Sequence, residues 1–164
     1  MAEKPVKSRT LKVKKGKIIQ QKGEYNSKIY VVRKGLLRSY SIDQKGREHI
    51  FMFAPEGWVV GDAISVDEPC ELAIQALEDS ELLVREKDAK RDGTPKGFEA
   101  LARRLLVLQR RIMMMMSVTA LERYEHFENT YPNLVQRVPQ KMIAAYLGIT
   151  PEALSKVRGQ RLKK

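Results

Sequence analysis

Between Gln140 and Gln160 the chain reads QKMIAAYLGITPEALSKVRGQ, and its polar side chains are spaced to meet a polyanionic duplex. On a helix starting at Pro151, with about 100° between successive residues, Leu154 and Val157 share one side. Glu152, Ser155, Lys156 and Gly159 share the opposite one. Glu152 suits the N4 amino group of cytosine as an acceptor, and Lys156 suits guanine O6 and N7 as a donor. Gly159 either lets the backbone approach a ligand closely or ends the helix. Thr150 precedes the helix, where a hydroxyl and the first backbone N–H groups suit a phosphate. Arg158 and Arg161 flank the face, and Gln140 opens the preceding helix; all three are read as phosphate contacts. Lys163 and Lys164 add sequence-independent attraction. This is the chemistry of a surface for double-stranded DNA. A helical hairpin without nucleic acid is the competing reading.

Such a face works only if other elements hold it. In the preceding helix Ile143, Ala144 and Leu147 point inward, and Gly148 follows where a tight turn between helices needs positive φ. Ala144, four residues before that glycine, lets the two helices approach. Ile149 fills the corner, Thr150 is a good N-cap, and Pro151 suits the first helical position. Upstream, a helix runs from Thr119 to about Asn129 and stops at Tyr131-Pro132-Asn133. Before it, Phe98, Leu101, Leu105, Leu108, Ile112 and Met115 repeat at alternating spacings of three and four, the pattern of a two-helix seam. Arg103, Arg104, Arg110 and Arg111 lie off this seam. The spacing favours a homodimer over an amphipathic helix packed on its own chain. Met113–Met116 points in every direction, which predicts a stretch buried all round, where several parts of the molecule converge.

Residues before about 95 have a different period. Short β-branched or aromatic runs fall at Lys17–Gln20, Ile29–Arg33, Leu36–Ile42, His49–Phe53, Trp58–Val60, Leu72–Ala76 and Ser80–Arg85. Turn clusters such as Lys34-Gly35, Gln44-Lys45-Gly46 and Pro55-Glu56-Gly57 separate them, which predicts an antiparallel sandwich or barrel. Asp92-Gly93-Thr94-Pro95 marks the change to helical period.

Charge is distributed unevenly. Residues 1–50 hold 14 Lys and Arg against 4 Asp and Glu, residues 51–136 hold 10 against 15, and residues 137–164 hold 7 against 1. A basic C-terminal segment fits a polyanionic partner as well as it fits a solvated tail. No apolar run reaches the ~18 residues of a membrane span, and the basic N-terminus has no apolar core of a signal peptide. Cys70 alone excludes an internal disulfide and a cysteine-ligated metal cluster. These features predict a cytoplasmic protein without a membrane partner. Two distant histidines, His49 and His126, are too few for a metal site on facing strands. No nucleophile elbow, phosphate loop or dinucleotide fingerprint is present, so the chain does not read as an enzyme and no cofactor or metal is expected.

Taken together, these stretches resemble the Crp/Fnr family of bacterial regulators. KGKIIQQKGEYNSKIYVVRKGLLRSYSIDQKGREHIFMFAPEGWVVGD is similar to that family's β-roll, ALEDSELLV to its last strand, the helix from Phe98 to its dimerisation helix, and VPQKMIAAYLGITPEALSKVRG to its recognition motif. The resemblance implies an α+β protein. It would have an N-terminal antiparallel, jelly-roll-like β-roll over 1–95, a long dimerisation helix over 96–118, and a C-terminal helix-turn-helix domain over 119–164 lacking a wing. It implies double-stranded DNA, a second copy of the chain and RNA polymerase as partners, with an unidentified small-molecule effector a further candidate. Relatives that bind a cyclic nucleotide carry a phosphate-binding cassette. Here that stretch reads GDAISVDEPCELA: Gly61, Asp62 and Ser65 fall in its first half, Glu71 stands at the arginine position and Leu72 at the serine position. From Ala54 to Glu81 there are eight acidic residues and no Lys or Arg, so the bidentate phosphate donor is missing. The oxygen sensors' cysteine cluster is also missing, and His49, His126 and Cys70, the only residues that could ligate a haem, read as structural or surface residues. The alternative to a DNA-binding regulator is a ligand-sensing or protein-docking β-roll whose helix-turn-helix is vestigial.

Overall fold

The computed structural model describes residues 8–62, 64–87, 94–116 and 119–161. Eight strands are followed by four helices. The strands are β1 (Ser8–Val13), β2 (Ile18–Gln20), β3 (Ile29–Lys34), β4 (Leu37–Ile42), β5 (Glu48–Ala54), β6 (Val59–Val60), β7 (Ala73–Ala76) and β8 (Ser80–Arg85). The helices are α1 (Pro95–Met116), α2 (Ala120–Thr130), α3 (Gln140–Leu147) and α4 (Pro151–Arg161). The chain divides into two compact units, Met1–Lys87 and Asp88–Lys164, so the long helix belongs with the C-terminal unit.

The first unit is an antiparallel β-roll of two four-stranded sheets, ordered β1-β8-β3-β6 and β2-β7-β4-β5. Alternate side chains of each strand turn between the sheets. Val13, Tyr30, Val32, Leu37, Ala54, Val60, Ile74, Ala76, Leu82 and Val84 meet there, with Trp58 and Met52 packed against them. Gly35 is required where β3 turns into β4: its φ is +92°, and an added Cβ would lie 2.3 Å from Ser80 Oγ and 2.7 Å from Asp79 O. The sequence does not announce β1, because Arg9 and Lys12 interrupt its apolar run. It forms as an edge strand on β8, in register from Ser8↔Arg85 to Val13↔Ser80, and edge strands tolerate such charge.

The second unit packs four helices around Tyr124, Phe127, Tyr131, Leu134, Ile143, Tyr146, Leu147, Leu154 and Val157, all buried. The rings of Phe127, Tyr131 and Tyr146 form a closed trio with centroids 5.4–5.7 Å apart. Thr94 caps α1 by accepting from Gly97 N at 3.2 Å, and Thr119 and Glu122 make a reciprocal capping box on α2. The expectation for Met113–Met116 needs correcting. Met114 is buried, but Met113, Met115 and Met116 are exposed in the single chain. Four consecutive side chains point in four directions, and this unit covers only one of them. Of the other expectations, Asp92-Gly93, Lys163 and Lys164 lie outside the described residues. Among the described residues no helix is long and apolar enough to cross a membrane, and no group of acidic, histidine or cysteine side chains is arranged to hold a metal ion.

Candidate functional site

The joint between α3 and α4 is built residue by residue. Gly148 ends α3 with φ +65° and ψ +33°, its N–H bonded to Ala144 O, and Ile149 N donates to the same carbonyl at 3.1 Å. Two arginines from other helices close the end of α3. Arg111 donates to Tyr146 O at 3.2 Å and stacks on the Tyr146 ring, its guanidinium carbon 3.8 Å from the centroid. Arg123 donates to Leu147 O at 3.3 Å. The turn is therefore held from outside as well as by its own glycine. An alanine at Gly148 would keep the left-handed backbone at a cost of about 1 kcal/mol, and its Cβ would press on Met115 Cε at 3.1 Å. Gly148→Ala is expected to lower Tm by about 2–4 °C in a thermal melt; an unchanged Tm would show that the turn is not conformationally demanding.

Beyond the turn, Thr150 caps α4. Its Oγ1 accepts from Ala153 N at 3.2 Å and its carbonyl from Leu154 N at 3.0 Å. Leu154 and Val157 are buried, whereas Glu152, Ser155, Lys156 and Gly159 are exposed. The structure thus gathers those four on one open face, with Gln140 exposed at the start of α3. Gly159 does not end the helix, which runs on to Arg161. The Glu152 carboxyl is held below the usual carboxylate range by its own backbone N–H and by the Thr150 hydroxyl, so it stays an ionised acceptor.

The two arginines are placed differently from the four residues of that face. Arg158 is half-buried. Arg161 turns toward α2, with Nη1 3.5 Å from Glu125 and Nε 3.3 Å from Glu128. The sequence position explains it: residues 154, 157 and 161 recur at three and four, the spacing of the buried side.

On α1, Phe98, Leu101, Leu105 and Ile112 are each 61–69 % exposed, Met115 is exposed, and Leu108 is half-buried. An exposed apolar stripe of this length is a candidate contact surface.

In the β-roll, the cassette stretch is organised around Asp62. Its buried carboxylate accepts from Glu71 N at 2.8 Å and Leu72 N at 2.9 Å. Gly61 lets the chain pass close to Lys28 O, which an added Cβ would approach to 2.8 Å. Ser65 turns to its own loop, its N–H donating to Glu68 at 3.0 Å. Two contributors were not foreseen. Gln20 Nε2 donates to Leu72 O at 2.9 Å. Lys87 Nζ donates to Ser27 Oγ at 2.5 Å and also to Ile64 O. Both come from far along the chain, and no local spacing announces them. A shallow cavity of about 400 Å³ beside the loop is lined by Lys22, Gly23, Ile64, Glu68, Pro69, Cys70 and Glu71.

A cyclic phosphate does not fit these residues. The Glu71 and Leu72 amides already bind the chain's own carboxylate, Glu71 stands exposed beside them, and Lys87 is engaged with Ser27 and Ile64. A single ammonium offers a point charge where a phosphate oxygen pair calls for a planar fork.

Residues 10–92 match the cyclic nucleotide-binding domain family. A comparison with curated proteins finds no significant match. Among solved structures, FixK2 from Bradyrhizobium japonicum is similar over 93 % of this chain and 83 % of its own, at 21 % identity and a TM-score of 0.70. The c-di-GMP responsive global regulator CLP of Xanthomonas campestris is similar over 95 % and 87 %, at 15 % identity and a TM-score of 0.71. A transcriptional regulator of the CRP/FNR family from Thermus thermophilus is similar over 94 % and 86 %, at 18 % identity and a TM-score of 0.69. At these identities the likeness is one of fold.

Proposed function

Because the chain belongs to the cyclic nucleotide-binding domain family, and its fold neighbours are Crp/Fnr-type transcription regulators, we propose that it is a homodimeric, sequence-specific DNA-binding regulator of that type, without enzymatic activity, whose nucleotide cassette no longer takes a cyclic phosphate. The observation that carries this reading is the open face of α4. Glu152, Ser155 and Lys156 stand exposed on a helix anchored by buried Leu154 and Val157 and capped by Thr150. In a dimer the two α4 helices would enter successive major grooves about 34 Å apart. Lys156 would donate to guanine O6 and N7, Glu152 would accept from cytosine N4, and the amides at the start of α4 would hold a phosphate. The uncovered stripe on α1 supplies the dimer contact. A small-molecule effector that is not a cyclic nucleotide, and RNA polymerase, are the further partners this reading includes. Selection of bound duplexes from a random pool tests it: enrichment of one sequence supports the reading, and retention without enrichment rejects it.

A further inference from the structure

Arg161, in the last turn of α4, ends on α2 rather than on the face that would read DNA. It reaches Glu125 at 3.5 Å and Glu128 at 3.3 Å. One turn of α2 thus holds the end of α4 through two carboxylates, at positions 125 and 128. The first half of α4 is held by the Gly148 turn and the Thr150 cap. The second half has Val157 and this polar network.

We propose that Glu125 and Glu128 form a clamp on Arg161 that sets the angle of α4. Arg161 is then a positioning residue for DNA recognition, not a phosphate ligand. This rests on the proposed function, and the two predict opposite signs where simple charge would mislead. Glu125 and Glu128 place negative charge in a basic segment. If they acted only through the field, removing them would tighten DNA binding. If they hold α4 at its angle, removing them weakens it, because a misdirected helix loses its base contacts.

The test uses the full chain and a duplex recovered from the random pool, with a scrambled duplex of equal length as control. Binding is followed by fluorescence anisotropy from 50 to 300 mM salt. The double variant Glu125→Gln with Glu128→Gln is expected to bind the selected duplex about five-fold more weakly, within the range of measured surface ion pairs, and the scrambled duplex no more weakly than the parent. Arg161→Gln is expected to lose a similar factor on the selected duplex, with the slope of log affinity against log salt unchanged. The clamp is overturned if the glutamine pair binds the selected duplex as tightly as the parent or tighter. It is equally overturned if Arg161→Gln lowers the salt slope by about 0.9, the signature of one lost phosphate contact. None of these side chains belongs to the buried core; Arg161→Lys, keeping the charge, should recover part of the loss under the clamp. A parent protein that never distinguishes selected from scrambled DNA would refute the proposed function and not the clamp.

Discussion

Leu105→Glu is expected to leave the protein as an 18.8 kDa monomer under conditions where the parent sediments at twice that mass. Leu105 sits mid-stripe on α1, with Leu101 and Ile112 exposed on the same side. In a two-helix seam, residues of this repeat face their own copies. The variant would bury two carboxylates against each other with no cation on the seam: Arg103, Arg104, Arg110 and Arg111 all lie off it. An uncompensated buried charge costs about 3–5 kcal/mol, which raises the dimer dissociation constant by about a thousandfold. DNA binding should fall with it by about a hundredfold, because a monomer loses the effective concentration that links two half-sites. Sedimentation measures the first effect and anisotropy the second. A parent that is already monomeric, or a variant that stays dimeric, would place the apolar stripe in another role.

The second large effect belongs to α4. Glu152→Ala with Lys156→Ala removes the two side chains assigned to base edges and leaves the buried side untouched. Each good base contact is worth about 1–3 kcal/mol of discrimination. Two such losses per half-site, repeated in the dimer, predict a fall of at least about a hundredfold on the selected duplex. Scrambled DNA should bind with little change, since removing one cation and one anion leaves the net charge as it was. The melting profile should also hold, because both side chains are exposed. Unchanged affinity for the selected duplex would remove α4 from the reading role.

Much of this architecture is legible in the sequence, for physical reasons. Alternation announces β8, where buried and half-buried residues alternate along Ser80–Arg85, and the three-four repeat announces α1. Gly148 is legible because few residues other than glycine adopt φ near +65°, and Thr150 with Pro151 because a cap and a fixed φ are local properties. The sequence-level reading fails where a neighbour distant in the chain decides. β1 depends on pairing with β8 more than on its own composition. Asp62 reads as one more acid in an acidic stretch until its carboxylate is seen to bind two backbone amides nine and ten residues on. Gln20 and Lys87 join that loop from the opposite ends of the β-roll. Arg161 reads as a phosphate ligand until α2 supplies the carboxylates that take it.

The cassette stretch and α4 therefore differ. The Glu71 and Leu72 amides of the first are bound by the Asp62 carboxylate. The second is capped and anchored, with Glu152, Ser155 and Lys156 exposed. Selection from a random duplex pool, followed by footprinting of the winner, tests the pairing of dimer and reading helix most directly. The expected winner is an inverted repeat whose half-site centres lie one helical turn apart, about 10 base pairs, with protection of both major grooves. An enriched site without two-fold symmetry, or a pool that returns unenriched, would contradict it.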